Sequence, residues 1–208
     1  MTEDTPSTGT PSTGTPETAG PGPSEAEDWI RAFPVVPPEH ADLPPHHDHC
    51  LGCGPANPHG HQLRARRDAH GVHAHHSFDS RHVGAPAIAH GGAVATVLDD
   101  LFGFLLYTVG ELAVTRHLAV DYLAPVLLYT PYTLRAHIHA RDGRKLHLRA
   151  TIEDNHAHVV TTATAVFLIV DIDHFLTPRH TTPHTDNAPA ATTPTAHEDQ
   201  QRPHMDRP

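Results

Sequence analysis

HGGAVATVLDDLFGFLLY, from His90 to Tyr107, is the stretch that decides the fold. Its apolar residues Val94, Val97, Leu98, Leu101 and Leu105 fall at i, i+3, i+4, i+7 and i+11, the spacing of one helical face. Most other positions are apolar too, so the spacing predicts a helix buried around its whole circumference. It should begin near Gly91 and end before Gly110, where glycine can close a helix.

Downstream, the period changes from helical to two. Val114 to Leu123 reads as a strand, and Pro125 and Pro131 bracket a turn. Leu134, Ala136, Ile138 and Ala140 alternate with polar residues; Asp142-Gly143 is a turn signal; Leu146, Leu148, Ala150 and Ile152 alternate again. Glu153 to His158 reads as another turn and Val159 to Val170 as a long strand rich in β-branched residues. Upstream, Leu63 to Arg67 and Val72 to Phe78 read as short strands joined by Asp68-Ala69-His70-Gly71, and Gly84-Ala85-Pro86 as a loop. The expected fold class is α+β, a curved antiparallel sheet wrapped around one long central helix, which buries the helix on all sides.

Further out, composition sets the boundaries. Residues 1–28 are almost entirely Thr, Ser, Pro, Gly, Glu and Asp, and residues 177–208 are Thr, Pro, His, Ala and charge. Neither end can bury enough apolar surface to offset ordering entropy, so both are expected to be disordered tails flanking one domain over 29–176. The net charge of −10 is concentrated outside that domain: residues 1–28 carry −6, residues 177–208 carry −1 and the rest −3. A nearly neutral domain without a basic run predicts no nucleic-acid partner. The N-terminus lacks a basic, apolar signal, and Ala163 to Val170 is too short to span a bilayer, so a cytoplasmic protein without a membrane partner is expected.

Several stretches resemble the acyl-CoA thioesterases of the hotdog fold, in particular the PaaI and THEM4-like families. They are CLGCGPANPHGHQLR (Cys50 to Arg64), GAPAIAHGGAVATVLDD (Gly84 to Asp100), AVTRHLAVDYLAPV (Ala113 to Val126) and GRKLHLRATI (Gly143 to Ile152). HGG alone is a weak motif; HGG with an Asp nine positions after the His, followed by these strands, is fairly specific. The resemblance implies a thioester hydrolase acting on acyl-CoA, with no cofactor.

The residues support such chemistry independently. A helix N-terminus offers unpaired N–H groups and a partial positive charge to a developing oxyanion, and glycine there allows close approach, which singles out Gly91 and Gly92. Asp99 is the expected general base or nucleophile, because a carboxylate on a buried helix is costly unless it has a task or a partner. The bland alternative is a solvated helix edge. Asp100, about 100° further round the helix, reads as structural. Gly91 and Asp99 lie eight residues apart, ~12 Å along a helix, too far to touch one carbonyl. If both act, the site lies between two copies of the chain. The resemblance implies the same pairing, in a homodimer or homotetramer, and a role for Thr115 in holding the attacking water.

His90 reads either as a packed loop histidine or as a group that orients substrate or bonds to the helix start. Arg144 and Lys145 read as solvated turn charges or, by the resemblance, as contacts to the CoA phosphates. Asp121 and Leu123 fall where relatives contact substrate, although relatives often carry Asn and a basic residue there. Phe102, Phe104, Leu105 and Tyr107 are candidates for setting pocket depth. Cys50-x-x-Cys53 with His46, His47 and His49 has the makings of a metal site, but with a single CxxC in a chain of 23 histidines the expectation is no metal. The competing functions are a hotdog hydratase or dehydratase, and a non-catalytic protein that binds acyl-CoA or an acyl-carrier protein.

Overall fold

The computed structural model describes residues 36–176. The two expected tails, and residues 29–35 of the expected domain, lie outside the described residues. The strands are β1 (Ala65–Arg67), β2 (Val72–His76), β3 (Val83–Ala85), β4 (Ile88–Ala89), β5 (Ala113–Tyr122), β6 (Tyr132–Asp142), β7 (Lys145–Glu153) and β8 (Val159–Ile169). The helices are α1 (Gly91–Phe104), α2 (Leu106–Val109) and a final turn α3 (Asp173–Leu176). Six strands form one antiparallel sheet in the order β1-β2-β6-β7-β8-β5, and β3 pairs with β4.

The expected period-two alternation becomes one buried face. Leu134, Ala136, Leu146, Leu148, Ala150, Ile152, Ala163, Ala165 and Phe167 point inward, at most 3% exposed. Against them lies α1, with Val97, Leu98, Leu101, Phe102 and Phe104 fully buried. α1 contacts β2, β5, β6 and β7, the hotdog arrangement that an all-round apolar helix requires. Truncating any of these leucines to alanine should cost about 2–5 kcal/mol. Gly91–Val109 is long and apolar enough to cross a membrane; here half of it is buried in the fold, with residues such as Gly92, Thr96 and Asp99 on a face left partly open, so burial on all sides is not reached within one chain.

Two local details differ from expectation. The helix breaks at Leu105, whose N–H turns back to Phe102 and Gly103 carbonyls, and α2 then ends at Gly110 with φ 66°. The expected loop at Gly84–Pro86 contributes to a small hairpin, β3–β4, turning at Ala87. Gly84 permits it, because a Cβ there would lie 2.6 Å from the His90 backbone.

The two sides of the sheet end differently. β1 takes backbone bonds from the preceding chain, Leu43 N–H to Ala65 O and Arg67 N–H to Ala41 O. β5, ten residues long, is the outer strand on the other side.

Candidate active site

α1 opens at its N-cap, His90, whose Nδ1 accepts the Gly92 N–H at 2.9 Å. This is one of the two roles considered for His90, bonding to the helix start. It also separates the two glycines. The Gly92 amide is occupied by the cap, whereas the Gly91 amide, first in the helix, has no carbonyl one turn earlier within it. The Gly91 carbonyl accepts the Tyr122 hydroxyl at 2.7 Å, tying the helix start to the end of β5. Tyr122 was not singled out in the sequence, where it is one aromatic residue at the end of a strand.

Beside Gly91 lies an open cleft of about 420 Å³, lined by Ile88, Ala89, Val94, Tyr122, Leu123 and Val126 among others. Its lining is mainly apolar, and Leu123 is 60% exposed at its edge. Phe102, Phe104, Leu105 and Tyr107 are core residues, at most 4% exposed, and do not line it. The neighbouring Asp121 is exposed near the end of β5.

Two turns further along α1, Asp99 is half-buried and its Oδ1 accepts the Thr115 hydroxyl at 2.9 Å. Burial raises the Asp99 pKa above the ordinary carboxylate value, and the Thr115 bond opposes that rise. Thr115 reaches the helix because of a β-bulge. Leu118 and Val120 pair with the buried Ala165 and Ala163, so even-numbered residues of β5 face inward there. The register shifts between Thr115 and His117, and Thr115 pairs with the buried Phe167. The extra residue, Arg116, turns an odd-numbered side chain toward α1.

Arg144 is exposed in the β6–β7 turn and Lys145 is exposed at the start of β7. Lys145 is in register with Leu168, and Leu168 with Val114. The turn cations therefore share the Thr115 end of the sheet, two strands or ~10 Å away. Within one chain, the site residues form two groups: Gly91, Gly92, His90, Asp121 and Leu123 at one end, and Asp99, Thr115, Arg144 and Lys145 at the other.

A second cluster adjoins Asp99. Asp100 does not point to solvent: its Oδ1 lies 3.1 Å from His46 Nδ1 and 3.2 Å from Cys50 Sγ. Cys53 Sγ lies 3.3 Å from the same His46 nitrogen. Burial works against charge on His46, but hydrogen bonds to Asp100 and Cys50 raise its pKa to about 9. The Cys53 hydrogen bond, joined by His46 and opposed by burial, draws the Cys50 thiol down. Of the three histidines around the CxxC, only His46 joins this cluster, and Asp100, read as structural, completes it. The CxxC, for which the sequence predicts no metal, thus supplies two of four converging donors among the described residues.

Residues 87–161 match the family model of the Thioesterase superfamily. An acyl-coenzyme A thioesterase THEM4 from Rattus norvegicus is 34% identical over 95 residues, 45% of this chain and 41% of its own length. Its counterpart from Mus musculus is 33% identical over the same extent. The chain therefore spans about two fifths of the length of these curated relatives. The crystal structure of a thioesterase superfamily protein is 25% identical, with a TM-score of 0.54 over 58% of this chain and 60% of that one.

Proposed function

From the match of residues 87–161 to the Thioesterase superfamily model, we propose that this chain hydrolyses an acyl-coenzyme A thioester to the free acid and CoA. The observation that carries the reading is the Asp99–Thr115 pair, a half-buried carboxylate on a mainly apolar helix, held by a hydroxyl from β5. The matched segment holds Asp99, Thr115 and Gly91 together.

In this reading Asp99 is the general base. Thr115 donates to one carboxylate oxygen, which leaves the other to take a proton from water. The hydroxyl oxygen of Thr115 keeps lone pairs that can hold that water. The water oxygen bonds to the thioester carbon, and the carbonyl oxygen gains charge opposite the Gly91 N–H. The C–S bond then breaks, and the proton on Asp99 passes to the departing thiolate. The cleft beside Gly91 takes the acyl or pantetheine chain, and Arg144 and Lys145 face the nucleotide phosphates.

The two groups of residues meet only through a second copy. β5 is an outer strand, and a two-fold axis near its middle would pair it antiparallel with the same strand of a partner. Residues near Thr115 would then lie opposite the Asp121–Tyr122 end of the partner's strand. Tyr122 holds Gly91, so the partner's helix start would come to Asp99. The assembly proposed is a homodimer, or a homotetramer built from two such dimers.

The test is release of free thiol from a panel of acyl-CoAs of increasing chain length. The expected result is saturable turnover with a preference set by chain length. Binding of acyl-CoA without thiol release would favour the non-catalytic reading, and hydration of an enoyl-CoA without release would favour the hydratase.

A further inference from the structure

We propose that His46, Cys50, Cys53 and Asp100 form a four-coordinate zinc site that clamps the loop at residues 46–54 onto the middle of α1. One ligand atom from each residue lies within 4.8 Å of the other three. Three of the separations are 3.1, 3.2 and 3.3 Å. Zinc bonds of about 2.0–2.3 Å in a tetrahedron put neighbouring ligands roughly 3.3–3.8 Å apart, so little movement is needed to close around an ion. Two thiolates, an imidazole and one carboxylate favour zinc over magnesium or calcium.

The loop is built for this approach. The Cys50-x-x-Cys53 turn is closed by the Gly54 N–H bonding to Cys50 O at 3.0 Å. The His46 N–H points to Cys53 Sγ at 3.2 Å, a bond suited to a thiolate. A Cβ on Gly52 would lie 2.2 Å from Asp100 Cγ, and one on Gly103 would lie 2.8 Å from His46 Cε1. Only glycine at these positions lets the loop and the helix bring their donors together. The His46 ring stacks on Tyr107 and packs 4.4 Å from Phe104, which shuts that side.

Charge favours occupation. The Asp100 side chain is only 8% exposed, and its Oδ2 is buried without a hydrogen-bond partner among the described residues. Burial makes a carboxylate so placed beside two sulfurs costly to ionise, and a bound cation lowers that cost. Zinc supplies two positive charges; the protons held on the sulfurs and on the His46 ring pass to solvent on binding, so both cysteines bind as thiolates and the histidine binds neutral. With all four positions taken by protein, the ion is structural and leaves no place for substrate. His46, Cys50 and Cys53 lie outside the residues matched to the superfamily, and Asp100 lies within them. Asp100 neighbours Asp99 in the chain, so the clamp would fix the helical turn that carries Asp99.

The test uses the full-length untagged chain, reduced, dialysed against a weak chelator and assayed for metal. The expected result is about one zinc per chain. Exchange for cobalt should give the intense visible bands of tetrahedral cobalt with a thiolate-to-cobalt charge-transfer band. A strong chelator should lower the melting temperature, and added zinc should restore it. Cys50→Ser with Cys53→Ser should lose both the zinc and the charge-transfer band. The chain contains 23 histidines, so the cysteine variant separates this site from adventitious binding. Zinc retained in that variant would overturn the proposal, as would wild-type cobalt protein without a thiolate band. The cobalt spectrum is read on the wild type, so it decides even if the variant does not fold. Neither readout depends on thioester hydrolysis.

Discussion

A half-buried carboxylate on an apolar helix costs stability wherever it is ionised. Burial raises the Asp99 pKa, so the folded state disfavours the charge that the unfolded chain carries freely at neutral pH. Asp99→Asn keeps nearly the same shape and removes that charge. The melting temperature should therefore stay level or rise, while kcat falls by about 10²–10⁴ and KM changes much less. Thr115→Val should cost less, roughly tenfold in kcat, because it deletes one hydrogen bond to a charged group and leaves the base in place. Steady-state kinetics with scanning calorimetry on the same samples check both. Wild-type turnover by Asp99→Asn would remove the residue from the mechanism.

At the scale of elements, the helix and the long strands were legible because their burial is one-sided or complete and therefore periodic. The functional facing of Thr115 was not. It depends on the bulge at Arg116, which reverses the alternation of β5, and no residue type announces a bulge there. The donor cluster was half legible. Cys50 and Cys53 declare themselves by spacing, but Asp100 lies 47 positions beyond Cys53 and joins them only through packing. Nor did spacing expose the histidines around Phe78. His61 and His82 stack with ring centroids 4.1 Å apart, and His76 packs edge-on to Phe78 at 4.7 Å. Burial, helped by repulsion from neighbouring histidines, lowers the pKa of His61 to about 3 and of His76 to about 4. The charged groups beside them do not share that range: Asp79 is lowered to about 2, and Arg81 is raised. In the unfolded chain both histidines take protons near pH 6.5. As pH falls from about 6.5 toward 4, the unfolded state binds protons that the folded state refuses, and stability declines. The melting temperature should drop by several degrees between pH ~7.5 and ~5. His61→Leu with His76→Leu should flatten that slope; an unchanged slope would sink the account.

At the scale of the whole molecule, one chain alone does not bring the two groups of site residues together. The Gly91 amide and the Asp99 carboxylate sit eight residues apart on a continuous helix, ~12 Å along its axis. One thioester carbonyl cannot meet both within a chain, and β5 offers the edge through which a second copy can supply the missing group. Gly91→Val places a branched side chain where even a Cβ would lie only 3.3 Å from the Tyr122 hydroxyl, crowding the amide, and should inactivate. Asp99→Asn should inactivate through the base. Mixing the two inactive proteins and allowing subunits to exchange gives heterodimers in which one site carries both defects and the other carries neither. Random exchange makes half the dimers mixed, so about a quarter of wild-type activity should return. Native mass spectrometry establishes that exchange has occurred. Proven heterodimers without recovered turnover would show that Gly91 and Asp99 do not serve the same carbonyl across the interface.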